Sequence, residues 1–179
     1  KKAIIEYNYF RSFLEEDEIK IIELPSSHKL TLDSIYTRDS IVVCDSGLIL
    51  CNMGRSSRTP EADENFKTLA DNGYKIAGQI KSPGTLEGGD FIWIDNKNAA
   101  VGLGPRTNSE GIRQLKEILG PEIDLHIVNL PDPDHPDDVL HLMSIISPLD
   151  KDLAVIYKPF MPETFLNWLT KLGIEFVEV

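Results

Sequence analysis

Apolar residues fall into short runs separated by stretches of helical periodicity, and the same series recurs three times along the chain. Each copy reads as two strands, an amphipathic helix and a further strand, a ββαβ unit repeating about every fifty residues. In the first copy, Ser40–Cys44 and Gly47–Cys51 flank Asp45 and Ser46 as the arms of a hairpin do. A helix follows, with Pro60 suited to its first turn, Ala62, Phe66, Leu69 and Ala70 on one face, and Gly73 as its stop; Tyr74–Ile80 closes the copy.

The second copy pairs Asp90–Ile94 with Ala99–Leu103 across the polar turn Asp95–Asn98. Thr107 and Glu110 have the spacing of a capping box for a helix carrying Ile112, Leu115, Ile118 and Leu119, stopped by Gly120, and Leu125–Val128 closes the copy. In the third, His141–Ile146 and Leu153–Tyr157 precede a helix opened by Pro162, with Phe165, Leu169 and Leu172 as its stripe and Gly173 as its stop; Ile174–Val177 ends it. Ala3–Ile5, a charged helical stretch around Phe13–Glu16, and Ile19–Leu24 resemble the end of another unit. The pattern predicts a single α/β domain over 1–179, with repeats near 1–32, 39–80, 87–130 and 141–179. Units that cannot bury their own apolar face must stack, in an open row or in a closed ring with a central cavity.

Composition narrows the partners. The 179 residues are 41% hydrophobic, ordinary for a globular chain, but the formal net charge is −11, which leaves no basic surface for nucleic acid and weakly favours small cations. No run approaches the roughly 20 apolar residues that span a bilayer, and the first residues lack a signal-peptide pattern, so a cytoplasmic protein without a membrane partner is expected. Cys44 and Cys51 read as buried reduced thiols rather than a disulfide framework. The chain starts at Lys1 and stops at Val179 inside a predicted strand, so both ends read as cut.

The chemistry-bearing residues share one place in the repeat. Asp39, Glu87 and His141 each open a first strand, and Arg58 and Arg106 follow second strands, with Lys158 less tightly placed. Stacking brings equivalent positions to the same end. Two carboxylates bind a planar guanidinium by paired, charge-assisted hydrogen bonds, and attack on its central carbon needs a thiolate and a proton carrier such as His141. Arg58 and Arg106 suit the far carboxylate of an amino-acid substrate. Each residue alone also has a structural reading: Asp39 in a surface turn beside Arg38, the glycines after Glu87 in a tight turn, His141 as a core histidine, the arginines as surface cations. The Pro131–Asp138 segment has metal-friendly oxygens but reads as a solvated loop, and no metal is expected.

Four segments, Leu32–Asp39, Leu86–Asp90, Val101–Asn108 and Leu140–Leu142, resemble in order and spacing the motifs of the amidinotransferase, dimethylarginine dimethylaminohydrolase and arginine deiminase superfamily. The resemblance implies the pentein fold, a five-bladed α/β propeller of ββαβ repeats, here an incomplete one of about three and a half blades. It implies a hydrolase of the guanidino group of arginine or methylated arginine. By motif, Asp39 and Glu87 would bind the guanidinium, Arg58 and Arg106 the substrate carboxylate, and His141 would act as general acid and base, with Asp33 and Asp90 as accompanying pocket or structural positions. No cofactor is implied, and a homo-oligomer is open to such a chain. Two departures stand out. The family's nucleophile is a cysteine near the C-terminus after a glycine-rich stretch, which neither Cys44 nor Cys51 matches, so these 179 residues are expected to omit it and to be inactive alone. Met143 stands where the arginine-deiminase pattern has an aspartate, which tilts the substrate toward dimethylarginine.

Overall fold

The computed structural model describes residues 1–24, 26–131 and 140–179. The first thirty residues depart most from the repeat. Helix α1 (Lys2–Glu16) takes in Ala3–Ile5 together with the charged stretch, buries none of its residues, and is followed by no strand at Ile19–Leu24. The expected strand there has no neighbour to pair with, and an isolated extended segment gains nothing from its apolar residues.

From Ile41 onward each ββαβ copy becomes one three-stranded sheet. In the first, β1 (Ile41–Cys44) and β2 (Gly47–Leu50) pair antiparallel across Asp45 and Ser46. Gly47 adopts a φ of 135°, a conformation that admits a tight hairpin end. Helix α2 (Glu61–Asp71) then carries the chain over so that β3 (Ile76–Gln79) lies parallel to β2, as a parallel pair requires. The second sheet repeats this with β4 (Phe91–Trp93), β5 (Asn98–Leu103), α3 (Ser109–Leu119) and β6 (Asp124–Asn129). The third uses β7 (Ile146–Asp150), β8 (Leu153–Ile156), α4 (Glu163–Lys171) and β9 (Glu175–Glu178).

Two local expectations need correction. The segment His141–Ile146 is not a strand: Leu142–Ser144 forms a 3-10 turn, closed by Ser144 N–H to the His141 carbonyl at 2.9 Å, and β7 begins only at Ile146. Helix α3 is capped by Asn108, whose side chain accepts from Gly111 N–H at 2.8 Å, because the Thr107 hydroxyl is committed elsewhere. The glycine stops hold: Gly73, Gly120 and Gly173 all have positive φ.

The core lies between units rather than within them. Successive strand residues face opposite sides of a sheet. In the middle unit, Phe91, Ala99 and Val101 therefore join Val42, Ile49, Ile80 and Leu86 from the first-unit side, while Ile92 and Ala100 join Leu142, Ile146, Ile156 and Phe165 of the third. Each such large side chain removed from water contributes about 1.5–3 kcal/mol, so docking of neighbouring units supplies much of the stability. No helix of the described residues is long and apolar enough to cross a membrane.

Candidate active site

Ahead of each first strand the chain makes one 3-10 turn: Thr37–Ser40, Gly88–Asp90 and Leu142–Ser144. Stacked units place these turns against one another. Close approach depends on two glycines. A Cβ at Gly88 would sit 2.1 Å from the Arg38 carbonyl oxygen, and one at Gly89 would sit 2.8 Å from Asp39 Oδ1 and 3.0 Å from His141 Cγ. Asp39, Glu87 and His141 consequently converge, with one ligating atom of each lying within 4.8 Å of the others.

Around this centre is a dense set of buried charges. Glu87 is fully buried and Asp90 is 1% exposed. Glu87 Oε1 accepts from Arg106 Nη1 at 3.1 Å and from the Arg55 backbone N–H at 3.2 Å, while Arg58 Nη1 stands 3.8 Å from Oε2. Asp39 Oδ2 accepts from Arg58 Nη1 at 2.8 Å. Among the described residues Asp39 Oδ1 takes no hydrogen bond, so both carboxylates are neutralised yet Asp39 keeps an oxygen for a ligand. The same trio has the donor types of a metal site, but Arg58 and Arg106 already supply the positive charge a cation would bring.

Arg58 differs from the clamp expected of it. Its Nε and Nη2 bind both oxygens of Glu61 at 2.8 Å, Nη1 binds Asp39, and Nη2 also reaches the carbonyls of Asp33 and Tyr36. Burial acts to lower its pKa, but the hydrogen bonds it donates to Glu61 and Asp39, and their charges, outweigh this and hold it above the ordinary value. Arg58 thus ties Asp39 to Glu61 and also lines the cavity. Arg106, 18% exposed at its side chain, lines the cavity beside Glu87.

His141 is oriented by Asp90. Its Nδ1 lies 3.1 Å from Asp90 Oδ1, which also accepts from Leu142 N–H at 3.1 Å, while Asp90 Oδ2 accepts from the Thr107 hydroxyl at 2.7 Å. With Nδ1–H donating to Asp90, Nε2 faces Glu87 Oε2 at 3.5 Å. A lone pair there would face a carboxylate, which favours the protonated ring. Burial acts to lower the His141 pKa, but the Asp90 hydrogen bond and the charges of Asp90, Asp39 and Glu87 prevail and raise it.

Asp39, Arg58, Arg106 and His141 open onto a cavity of about 710 Å³ that Asp33, Tyr36, Arg55 and Met143 also line, while Glu87 and Asp90 are buried behind it. Asp33 pairs with Arg55 Nη1 at 2.9 Å, at the solvent-exposed mouth. Arg55 escaped the sequence reading because it lies between a glycine and two serines, outside every repeat-matched position. Neither thiol lines this cavity. Cys51 is buried behind it, and burial together with the charges of Asp39 and Glu87 pushes its pKa up; Cys44 faces a separate cavity beside Trp93 at the other end of β1. The acidic Pro131–Asp138 segment lies, apart from Pro131, outside the described residues.

The sequence model of the family described as Arginine deiminase matches residues 32–175. A dimethylarginine dimethylaminohydrolase of Streptomyces coelicolor is 30% identical over 139 residues, covering 76% of this chain and 51% of that protein. The chain spans about half the length of the curated relatives it matches. In architecture it resembles the Pseudomonas aeruginosa dimethylarginine dimethylaminohydrolase, solved as a cysteine-to-serine mutant complexed with citrulline, with a TM-score of 0.80 at 24% identity over 99% of this chain and 65% of that one. An amidinotransferase of Microseira wollei from the saxitoxin biosynthetic pathway has a TM-score of 0.77 at 17% identity, over 98% and 59%.

Proposed function

The chain belongs to the arginine deiminase family, within the superfamily of pentein enzymes, and from that premise we propose that its cavity binds the guanidino group of arginine or N-methylated arginine for hydrolysis. The observation that carries this reading is the convergence of Asp39, Glu87 and His141 within 4.8 Å of one another, with Asp39 and His141 lining one cavity and Glu87 buried directly behind them. Asp39 and Glu87 grip the planar cation, and Arg106 and Arg58 keep both carboxylates ionised. A thiolate that neither Cys44 nor Cys51 supplies attacks the guanidinium carbon. His141 hands its proton to the departing nitrogen, an amine or ammonia leaves, and the carbon stays bonded to sulfur as a thiouronium. The neutral His141 then takes a proton from water, the hydroxide attacks the same carbon, and citrulline departs as the thiolate is regenerated.

Met143 lines the cavity where a third carboxylate would favour an unmodified guanidinium, which supports a dimethylated substrate. The arginine deiminase or dihydrolase and amidinotransferase readings differ from this in leaving group and acceptor. The complete fold is proposed as a five-bladed ring of these units in a cytoplasmic enzyme. A pentein-fold binding scaffold is the non-enzyme alternative, and undetectable turnover in the complete protein would favour it.

Titrating the chain with dimethylarginine and following the imidazole resonances of His141 tests recognition; the expected result is a saturable shift, and none at saturating ligand overturns the reading. In protein that carries the nucleophile, release of citrulline with dimethylamine, with ammonia, or with amidino transfer to an added amine separates the three chemistries. His141→Ala is expected to abolish each of them.

A further inference from the structure

We propose that the cavity at the far end of β1, beside Trp93 and Cys44, is a second binding site, which takes a small ammonium with an apolar body and no carboxylate. The inference does not depend on the guanidino reading, because the two cavities share no lining residue. At that end the chain reverses twice, at Asp45 and Ser46 between β1 and β2 and at Asp95 and Asn96 between β4 and β5. The first two units thus bring their hairpin ends together there, as their 3-10 turns meet at the opposite end. Between the hairpin ends lies a cavity of about 530 Å³, within the range that small ligands fill.

The lining sets the class of ligand. Val43, Trp93, Leu119 and Ile123 make an apolar wall, which calls for a hydrocarbon body. Asp45 and Asp95 bring two negative charges, and among the described residues no lysine, arginine or histidine lines the cavity, so a cation is drawn in and an anion repelled. A zwitterionic amino acid would bring a carboxylate that finds no positive partner, which separates this site from the one at Asp39 and His141.

The recognising groups are held in place before a ligand arrives. The Trp93 indole N–H donates to the Val43 carbonyl at 2.9 Å, tying the middle unit to the first, and its ring stands edge-on to Phe91 at 5.2 Å. An aromatic wall fixed in this way meets an ammonium at little cost in ordering. The Asp95 carboxylate is committed to its own turn, accepting from the backbone N–H groups of Lys97 and Asn98 and from Asn98 Nδ2, so it contributes charge rather than a contact. Asp45 is exposed and, among the described residues, takes no hydrogen bond, which leaves it as the ion-pair partner of the ligand.

Calorimetric titration of the 179-residue chain with 2-phenylethylamine and with its neutral counterpart 2-phenylethanol tests this, alongside alkylation of Cys44 by iodoacetamide. Cys51 is buried and its thiol pKa is pushed up by that burial, so alkylation reads Cys44, which lines the cavity. The amine is expected to bind about fivefold or more tightly than the alcohol, the scale of a cation–π contact with one exposed ion pair. At about ten times its Kd the amine is expected to slow alkylation of Cys44 about tenfold, as mass action requires of a ligand that covers the thiol. That protection distinguishes this cavity from a cation held at Asp39 and Glu87. Asp45→Asn is expected to remove most of the preference for the amine while the alcohol changes by less than about twofold. Equal affinity for amine and alcohol, a preference unmoved by Asp45→Asn, amine binding that leaves the alkylation rate unchanged, or no saturable amine binding overturns the proposal.

Discussion

The middle and third units share one topology and differ in what covers them. In the middle unit the strand β5 is buried through Ala99, Ala100 and Val101, and its two faces feed two separate cores. In the third, the equivalent central strand β8 is buried only at Ala154 and Ile156, and β9 at no position. The same ββαβ pattern therefore gives a central strand closed off on both sides where units flank it and one buried at alternate residues where a flank is open. Burial in a repeat fold is a property of the joint. The chemistry follows the same rule, since Asp39, Glu87 and His141 meet where turns of successive units press together.

The strongest way to break this comparison is to excavate each unit. Phe91→Ala, at a side chain 2% exposed in the middle unit and edge-on to Trp93, is expected to cost about 3–5 kcal/mol in chemical denaturation. Val177→Ala in β9, 45% exposed, should stay within about 0.5 kcal/mol. Equal costs would show that the joint does not govern burial. Two glycines sharpen the point. Gly89→Ala forces a methyl between Asp39 and His141 and is expected to cost about 1–3 kcal/mol and to abolish arginine binding by calorimetry. Gly173→Ala, at a helix stop with φ of 81° and open space around it, should cost about 1–2 kcal/mol and leave binding intact.

Two histidines extend the contrast to pH. His126, stacked on Trp168 at 4.6 Å between the middle and third units, has its pKa lowered, chiefly by burial, with Asp124 opposing. His141 has its pKa raised above 6.5 by Asp90 and its acidic neighbours against the effect of burial. The raised group stabilises the fold fully below 6.5, and that contribution fades as pH climbs through its folded-state value; the lowered group contributes above 6.5, and its contribution fades as pH falls through its own. NMR titration should place the two on opposite sides of 6.5, and Asp90→Asn should bring His141 down while leaving His126 in place. Coincident titrations would refute the assignment.

The period of the repeat was legible because strand alternation, helix stripes and the three glycine stops all carry local signatures. Errors arose where a distant partner decides. Leu142, Ile145 and Ile146 are as apolar as a strand demands, but Asp90 fastens Leu142 N–H and the His141 ring into a turn, and the strand that follows contains Pro148, which alternation rules count against it. Thr107 has the spacing of a helix cap, yet its hydroxyl serves Asp90 and Glu87 N–H, and Asn108 caps instead. The shared repeat position brings Asp39, Glu87 and His141 within 4.8 Å of one another; it carries no sign of the Arg58–Glu61 pair, because that partner lies on the helix that follows and outside the repeat-matched positions.

Asp90 carries a final consequence. One carboxylate fastens the backbone of the third unit, orients the imidazole and receives the hydroxyl that steadies Glu87 N–H. A change at this position cannot retune the proton carrier without also loosening an architectural seam. Mutational drift here is thus doubly constrained, and the acid–base behaviour of the centre can be adjusted independently only from groups that approach His141 from the cavity side.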